Sequence, residues 1–492
     1  MTLTVPVCTT SQIRSLERYA ISQIGMSEQE LMYEAGLAAF NNLKQLYPSA
    51  QKITVFCGGG NNAGDGYVLA RLAFKAGYDV TINYYKPLEA LPEAASTEAQ
   101  AAISAGIPCV PIEQWEDIDA DVIIDALLGI GLTGNVRDPL AAAINLINSS
   151  NTPVIALDIP SGLNADTGQV MGTCVIADVT STFVAYKAGL VTLDGPDYCG
   201  QIICNDLGID LQTARNFQPI ATLIDDQIAE KNLQPRKRNC HKGDFGHVLI
   251  IGGGPGMPGA VCLAANAALR TGAGLVSIAT IEAHANHIVP GLPEAIIHGL
   301  TDASQILPLL EKATVCVLGP GLGIDQWAID LFSQVISCQL PMVIDASALR
   351  LLAGMPQHDD NWVLTPHPGE AASLLSCATQ DIQSDRYAAA AEIQHRYGGN
   401  VVLKGAGTLI ACDDDSLHVC TIGNPGMASA GMGDVLSGVI AGLIAQGMQL
   451  NQAAKLGVWL HARAGDLASH KGGERGLIAS DLMPYLRTLV NP

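Results

Sequence analysis

The sequence predicts an α/β protein of two domains, each a mainly parallel sheet with helices on both faces. Three observations point there. Short apolar runs of the buried-strand type alternate with helix-like segments along the whole chain. Nearly every such run ends in a glycine-rich or polar loop, which is where parallel sheets bind ligands. Residues 211–240 turn polar and charged, with Pro219 and Pro235, and so mark a boundary near residue 220.

Composition agrees with that class and narrows the function. The 492 residues exceed one ordinary core, and 48% hydrophobic against 15% charged residues favours large buried cores over disorder. A formal net charge of −21 argues against nucleic acid or an anionic membrane as the main partner. It does not exclude a phosphorylated ligand, because backbone N–H groups hold phosphates without Lys or Arg. The one basic run, Arg236-Lys237-Arg238 with His241-Lys242, reads as a solvated linker. Thirteen cysteines without a C-x-x-C pair fit reduced thiols in a cytoplasmic protein, and no signal-peptide pattern opens the chain. Two uncharged runs, 248–269 and 435–454, reach membrane-span length. Glycines 252–259 break the first, and Ser, Gln and Asn interrupt the second, so buried α/β elements are expected.

Residues 9–46 read as helix. The strand Lys52–Cys57 then feeds Gly58-Gly59-Gly60-Asn61-Asn62-Ala63-Gly64-Asp65-Gly66 and a helix over Tyr67–Ala76. Strand, glycine loop and helix in that order suit a phosphate, and the Asn side-chain carbonyls suit a monovalent cation or a ligand hydroxyl. Further strands are expected at Asp79–Tyr84, Asp121–Ala126, Pro153–Asp158 and Val179–Ala185, with helices at 94–105 and 139–148. The loop Gly129-Ile130-Gly131-Leu132-Thr133-Gly134-Asn135 follows Asp125 as a second phosphate cradle, and Asp158 precedes Pro160-Ser161. Strand ends carrying Asn62, Asp125, Asp158 and Ser161 converge in such a fold.

The segments GGGNNAGDG, DALLGIGLTG, LDIPSGLNADTG and FVAYKAGL together resemble the epimerase domain of NAD(P)H-hydrate repair proteins over roughly residues 10–215. The resemblance implies a Rossmann-like domain, residues 1–220, that interconverts the R and S epimers of hydrated NADH or NADPH. It implies a potassium ion held by Asn62, Asp125 and Ser161. Asn61, Asn62, Ala63, Gly64, Asp65, the 129–135 loop and Asp158 would contact the hydrated dinucleotide, with Asp158 as the acid for proton transfer. Ala63 stands where the family commonly has glycine and adds one methyl.

The second half opens at His241-Lys242-Gly243-Asp244-Phe245-Gly246 with the strand His247–Ile251. Gly254, Gly256 and Gly259 match G-x-G-x-x-G, the dinucleotide fingerprint of an oxidoreductase. The expected strand Gly274–Ala279 ends without the acid that this fingerprint wants, and two prolines sit inside the loop. Strands at Val315–Leu318, Met342–Ile344, Trp362–Leu364 and Val401–Leu403 instead lead into Gly319-Pro-Gly321-Leu-Gly323, Asp345-Ala-Ser347, Thr365-Pro-His367-Pro-Gly369-Glu370 and Lys404-Gly405-Ala406-Gly407-Thr408, a kinase-like series. His367 reads either as a cap or as a ligand contact. In Gly423–Gly438 the glycines before Asp434 can expose amides at a helix start, an anion site beside a base; a capped glycine turn is the plainer alternative.

HKGDFGHVLIIGG, LGPGLG, TPHPGE, VVLKGAGT and GNPGMASAGMGDVLSG closely resemble the NAD(P)H-hydrate dehydratase domain over about residues 225–490. That implies a ribokinase-like domain, residues 225–492, which dehydrates the S epimer with ADP as phosphoryl donor. Ala260, Gly321, Gly323, His367 and Asp434 would contact the hydrated dinucleotide, with Asp434 as the base. Lys404, Gly405, Ala406, Gly407, Thr408 and Gly433 would contact the adenine nucleotide. Magnesium is expected with it, Glu370 among its ligands, and the protein is expected to be a homo-oligomer. Ser347 stands where relatives often carry a second acid, which removes a carboxylate from that position. A ribokinase-like kinase of small hydroxyl compounds and a dinucleotide-binding oxidoreductase are the competing readings.

Overall fold

Val122–Ala126 illustrates how the chain forms its sheets: five residues in succession are buried, so both faces of the strand meet core and no polar alternation appears. The protein is described by a computed structural model over residues 5–114, 118–210 and 217–491. The chain divides into two units after Thr222. The polar stretch expected to separate them, 211–240, lies partly outside the described residues, at 211–216.

In the first unit the strands are β1 (Pro6–Cys8), β2 (Lys52–Cys57), β3 (Asp79–Tyr84), β4 (Cys109–Pro111), β5 (Val122–Ala126), β6 (Val154–Leu157), β7 (Val179–Phe183), β8 (Tyr186–Lys187) and β9 (Gln201–Asn205), with β10 (Ala221–Leu223) beginning at its end. Seven of them form one parallel sheet in the order β4-β3-β2-β5-β6-β7-β9. Strand order reverses between β2 and β5, so the loops after these two strands part and leave a crevice. β1 pairs in parallel with β8 and antiparallel with β10, apart from that sheet.

Three elements differ from the sequence reading. The single helix expected over 9–46 is two, Thr10–Tyr19 and Glu28–Leu46, separated by a π-helical segment at Ala20–Ile24 and by Gly25 at φ 86°. The helix expected to start at Tyr67 starts at Asn61. Its early glycines serve packing rather than a turn: a Cβ on Gly64 would lie 2.3 Å from the Met32 sulfur, and one on Gly66 would lie 2.7 Å from the Ala126 Cβ. The strand expected over Val179–Ala185 stops at Phe183, because Val184 turns the chain at φ 69° and sends it back as β8.

The second unit continues with β11 (His247–Ile251), β12 (Leu275–Ile281), β13 (Ile296–Leu300), β14 (Val315–Leu318), β15 (Met342–Ile344), β16 (Trp362–Leu364), β17 (Asn400–Leu403), β18 (Thr408–Ala411) and β19 (Leu417–Cys420). They lie in the order β13-β12-β11-β14-β15-β16-β17-β18-β19, parallel as far as β17 and antiparallel after it. β12 runs two residues beyond the expected Ala279. Here the order reverses between β11 and β14. The uncharged runs are β11 with the helix Pro258–Thr271, and the helix Met432–Ala445 with the start of Leu450–Gly472. Among the described residues no helix is long and apolar enough to cross a membrane. All thirteen cysteines are unpaired. The basic run is exposed, as expected; within it Arg236 also stacks over the Phe245 ring at 3.7 Å and donates to the Gly272 carbonyl and the Gln446 side-chain oxygen.

Helices Pro258–Thr271 and Met432–Ala445 pack so closely that only glycine fits at their crossing. A Cβ on Gly438 would stand 2.1 Å from the Ala264 carbonyl oxygen, a backbone atom that cannot swing aside. Gly438→Ala should therefore cost about 1–3 kcal/mol through overpacking despite alanine's better helix propensity. A lower urea midpoint for the second unit checks this; an unchanged or higher midpoint contradicts it.

Candidate active sites

In the first unit, the crevice between β2 and β5 opens into a cavity of about 1020 Å³. The helix Asn61–Lys75 begins there on Gly60, whose glycine side offers no cap, so the first amides of the helix remain for a ligand. Of the residues expected to bind, Asn61, Asn62, Asp65, Gly129, Ile130, Gly131, Leu132, Thr133 and Asp158 line the cavity. Ala63 and Gly64 are buried in helix packing, and Gly134 and Asn135 are not among the lining residues.

Asn62, Asp125 and Ser161 come together around Leu128. Asp125, at the end of β5, is fully buried and accepts hydrogen bonds from the Ser161 hydroxyl (2.6 Å), the Ser161 amide (2.8 Å) and the Leu127 amide (3.2 Å). The Asn62 side-chain amide and the Ser161 hydroxyl both donate to the Leu128 carbonyl, each at 3.2 Å. The Asn62 Oδ1 is buried with no hydrogen-bond partner. Burial pushes the Asp125 carboxyl up to about 6 against the pull of its hydrogen bonds. An orphaned carbonyl oxygen near a buried carboxylate fits a bound monovalent cation.

Asp158 follows β6 with φ 65°, a conformation rarely held by a residue with a side chain. Its Oδ1 accepts from the buried ammonium of Lys187, which also donates to the Thr182 hydroxyl (3.0 Å) and the Phe183 carbonyl (2.7 Å). Lys187 was not singled out from sequence, although it stands in the FVAYKAGL segment; a lone lysine in an apolar run is its only signal. Nor were Arg14, Glu17 and Arg18, which line the cavity from the first helix.

In the second unit, β15 ends at Asp345, which is 1% exposed and bonded to the Lys404 ammonium (3.0 Å) and the Ser437 hydroxyl (2.8 Å). Burial alone would raise the Asp345 carboxyl; Lys404 and the hydrogen bonds from Lys404, Ser437 and Thr365 outweigh it and hold it below the usual range. The Glu370 carboxylate lies 3.8 Å from the same ammonium and also accepts from the His367 amide at 2.9 Å. His367 caps the helix Pro368–Leu375, its Nδ1 accepting from the Gly369 and Glu370 amides, while its ring stays half exposed.

Gly431 opens the helix Met432–Ala445 at φ 88° with no side-chain cap. Asp434 is thus in the first helical turn and is not its cap. Burial first, and the Asp345 charge second, push its carboxyl up to about 7 against the opposing Lys404. Gly433 lies over the ion pair: a Cβ there would be 3.2 Å from the Lys404 Nζ and 3.6 Å from Asp345 Oδ2. Burial lowers the His461 ring to about 4, against the pull of the Met432 backbone.

The Gly405–Thr408 loop rests on Arg386, a buried guanidinium that sequence reading missed, whose Nη2 reaches the carbonyls of Leu403, Lys404 and Gly407 at 3.4 Å each. The Lys404 side chain turns inward to Asp345 rather than out along that loop. Across the β11/β14 crevice, the Gly253 and Gly254 amides bond the Pro320 and Gly321 carbonyls, and a Cβ on Gly321 would lie 3.1 Å from that of Ala260. Ser347 opens the helix Ser347–Gly354 after Ala346, which sits at φ 50°.

Comparison with known proteins bears on both units. Residues 248–487 match the family described as NAD(P)H-hydrate dehydratase, and residues 28–189 match the YjeF-related protein N-terminus. The bifunctional NAD(P)H-hydrate repair enzyme of Coxiella burnetii is 47% identical over 481 residues, covering 98% of each chain. That of Escherichia coli is 43% identical, covering 98% of this chain and 93% of its own. A ribokinase-like superfamily protein from Enterococcus faecalis superposes on 56% of this chain and 96% of its own, with a TM-score of 0.51 and 28% identity. The chain belongs to the family of bifunctional NAD(P)H-hydrate repair enzymes.

Proposed function

We propose that this protein repairs hydrated NADH and NADPH in two steps, residues 1–220 exchanging the R and S epimers and residues 225–492 dehydrating the S epimer with ADP. The observation that carries the reading is Asp434: a carboxyl raised to about 7, in the uncapped first turn of a helix, beside a lysine-held aspartate. Such a group accepts a proton from a hydroxyl near neutral pH while the free helix amides receive a phosphoryl group. Phosphorylation turns the ring hydroxyl into a good leaving group; the ring nitrogen then expels phosphate, forming a C=N⁺ bond, and loss of the proton on the next ring carbon restores the dihydronicotinamide.

Residue roles follow from that chemistry. Asp434 is the base, and the amides following Gly431 face the transferred phosphoryl. Ala260, Gly321, Gly323 and His367 border the hydrated dinucleotide, and residues 404–408 with Gly433 border the adenine nucleotide. Magnesium bound with the nucleotide would neutralise phosphate charge, with Glu370 among the carboxylates that would hold it. In the first unit the helix start 61–65 and the loop 129–135 bind the dinucleotide, Asp158 moves the proton, and Asn62, Asp125 and Ser161 hold potassium, whose charge would stabilise substrate phosphate. Incubating the protein with mixed epimers of hydrated NADPH and ADP tests the whole: both epimers should disappear as NADPH forms. A stable phosphorylated product would instead indicate a small-molecule kinase.

Asp434→Asn should abolish dehydration while epimer exchange continues. In the unmodified protein, dehydration at limiting substrate should fall tenfold per pH unit below about 7, because the base must be ionised and its pKa is raised to that value; a profile flat to pH 5 would contradict the assignment. Asp158→Asn should leave the R epimer decaying only at its spontaneous rate while the S epimer is consumed normally, read by chromatography of the two epimers. Lys404→Met removes the cation that lowers Asp434, so the Asp434 carboxyl should titrate above 7 in a carbon-13 NMR titration. It also leaves Asp345 buried and unpaired, at a cost of about 3–5 kcal/mol in denaturant unfolding.

A further inference from the structure

We infer that Asp65 is the general acid of epimer exchange, donating its carboxylic proton to the departing hydroxyl of the hydrated ring. The inference rests on the epimerase reading above and adds to it a residue, a bond and a direction of proton flow.

The chemistry of the substrate class sets the requirement. Hydration of an enamine puts the proton on the carbon away from nitrogen and the hydroxyl on the carbon bonded to it. A carbon carrying both nitrogen and hydroxyl inverts without breaking any C–H bond. The ring-nitrogen lone pair forms a C=N⁺ double bond as the C–O bond breaks, and water then adds to the other face. Hydroxide leaves poorly, so the departing oxygen must take a proton and go as water. The entering water gives up a proton to Asp158, the base of the return step, from which it passes back to the Asp65 carboxylate and restores the acid. Water leaves and water enters, so nothing is oxidised or reduced. The first demand is for a neutral acid at physiological pH, not for a base.

Asp158, the carboxylate expected to move the proton, is unsuited to that first step. Its Oδ1 already accepts from the Lys187 ammonium and, at 3.4 Å, from the Phe183 amide. Asp65 is different in kind. It lines the same cavity on the helix that also carries Asn61 and Asn62, and among the described residues its carboxyl has neither a hydrogen bond nor an ion pair. Burial raises it well above the ordinary carboxylate range; the charges of Asp158 and Glu17 add to the rise, and Lys187 only partly opposes it. The remaining charged groups around the cavity are Arg14, Arg18 and Glu28, with the Tyr85 phenol. Glu17 is the one competitor. Its carboxyl is also raised, by burial first, but it belongs to the first helix, whereas Asp65 shares its helix with residues expected to hold the dinucleotide and the cation. An unpaired acid beside a lysine-paired carboxylate is an arrangement that separates acid from base by environment alone.

The test uses the full chain without ADP, following R-to-S exchange of hydrated NADPH in ¹⁸O-water from pH 5.5 to 9, above the spontaneous rate. The unmodified protein should incorporate solvent oxygen into the ring hydroxyl as it inverts and should lose activity as pH rises through the Asp65 titration. Asp65→Asn keeps the shape but carries no transferable acid proton. It should lower kcat for exchange by about 10²–10⁴-fold, abolish the alkaline limb and shift KM by less than about threefold. An unchanged thermal unfolding profile of the first unit reports that the variant is folded, and Asp65→Glu should recover part of the exchange. Inversion without solvent oxygen, or Asp65→Asn within about tenfold of the unmodified rate, overturns the assignment, as does an alkaline limb that disappears in Glu17→Gln instead. No exchange by the unmodified protein at any pH would sink the epimerase reading itself.

Discussion

Both candidate sites depend on one interaction: a lysine ammonium held against an aspartate at the C-terminal end of a parallel strand. Lys187 is 1% exposed and bound to Asp158; Lys404 is bound to Asp345, itself 1% exposed. Removing such charges from water is costly, and a buried pair generally returns little net stability. What it supplies here is a fixed anion whose position does not vary with pH. Beside each pair stands a second aspartate with no cation of its own. Burial is the main cause of the raised pKa of Asp65 and of Asp434, and the lysine-held aspartate is the next cause in both cases. The lysine's own charge works the other way, opposing the rise of the second aspartate in both sites.

The backbone around these pairs solves one geometric problem twice. Where the strand order reverses, two loops from adjacent strands must cross at van der Waals distance before parting around the ligand. A Cβ on Gly58, at the end of β2, would lie 1.7 Å from the Leu127 carbonyl oxygen. The equivalent atom on Gly252, at the end of β11, would lie 2.0 Å from that of Pro320. No side chain fits either place. The loop then reaches a helix start: Asn61–Lys75 opens on Gly60, and Met432–Ala445, arriving from elsewhere in the chain, opens on Gly431. Both caps are glycine, so the first amides are left to a ligand instead of being satisfied by a Ser, Thr or Asp.

The sequence made the alternation of strands and loops legible because buried parallel strands are uninterrupted apolar runs. It also located Asp158 and Asp345, since each follows such a run directly. What it hid was of two kinds. Glycines at 64, 66, 438 and 442 look like loop punctuation, yet all lie inside helices, where close helix packing requires them. Periodicity cannot tell a glycine that turns the chain from one that lets a neighbour approach. The second kind is pairing at long sequence separation. Lys187 meets Asp158 across 29 positions and Lys404 meets Asp345 across 59, and neither lysine has a local pattern that names its partner. Arg386, which supports the Gly405–Thr408 loop from a distant helix, is hidden for the same reason.

The two unpaired aspartates also account for opposite reactions at one ring carbon. Epimer exchange and dehydration both break the bond between that carbon and its oxygen. In exchange the oxygen leaves as water and returns as water, so the step needs a proton supplied and stays reversible. In dehydration the oxygen must first attack a phosphoryl group, so the hydroxyl needs its proton removed, and departure as phosphate draws on the donor's free energy. One site therefore requires an acid that resists ionisation, and the other a base that ionises near neutrality. Asp65 is raised well above the carboxylate range, whereas Asp434 is raised only to about 7, where Lys404 restrains it. Burial first and a neighbouring aspartate second raise both carboxyls, and a lysine opposes the rise in each.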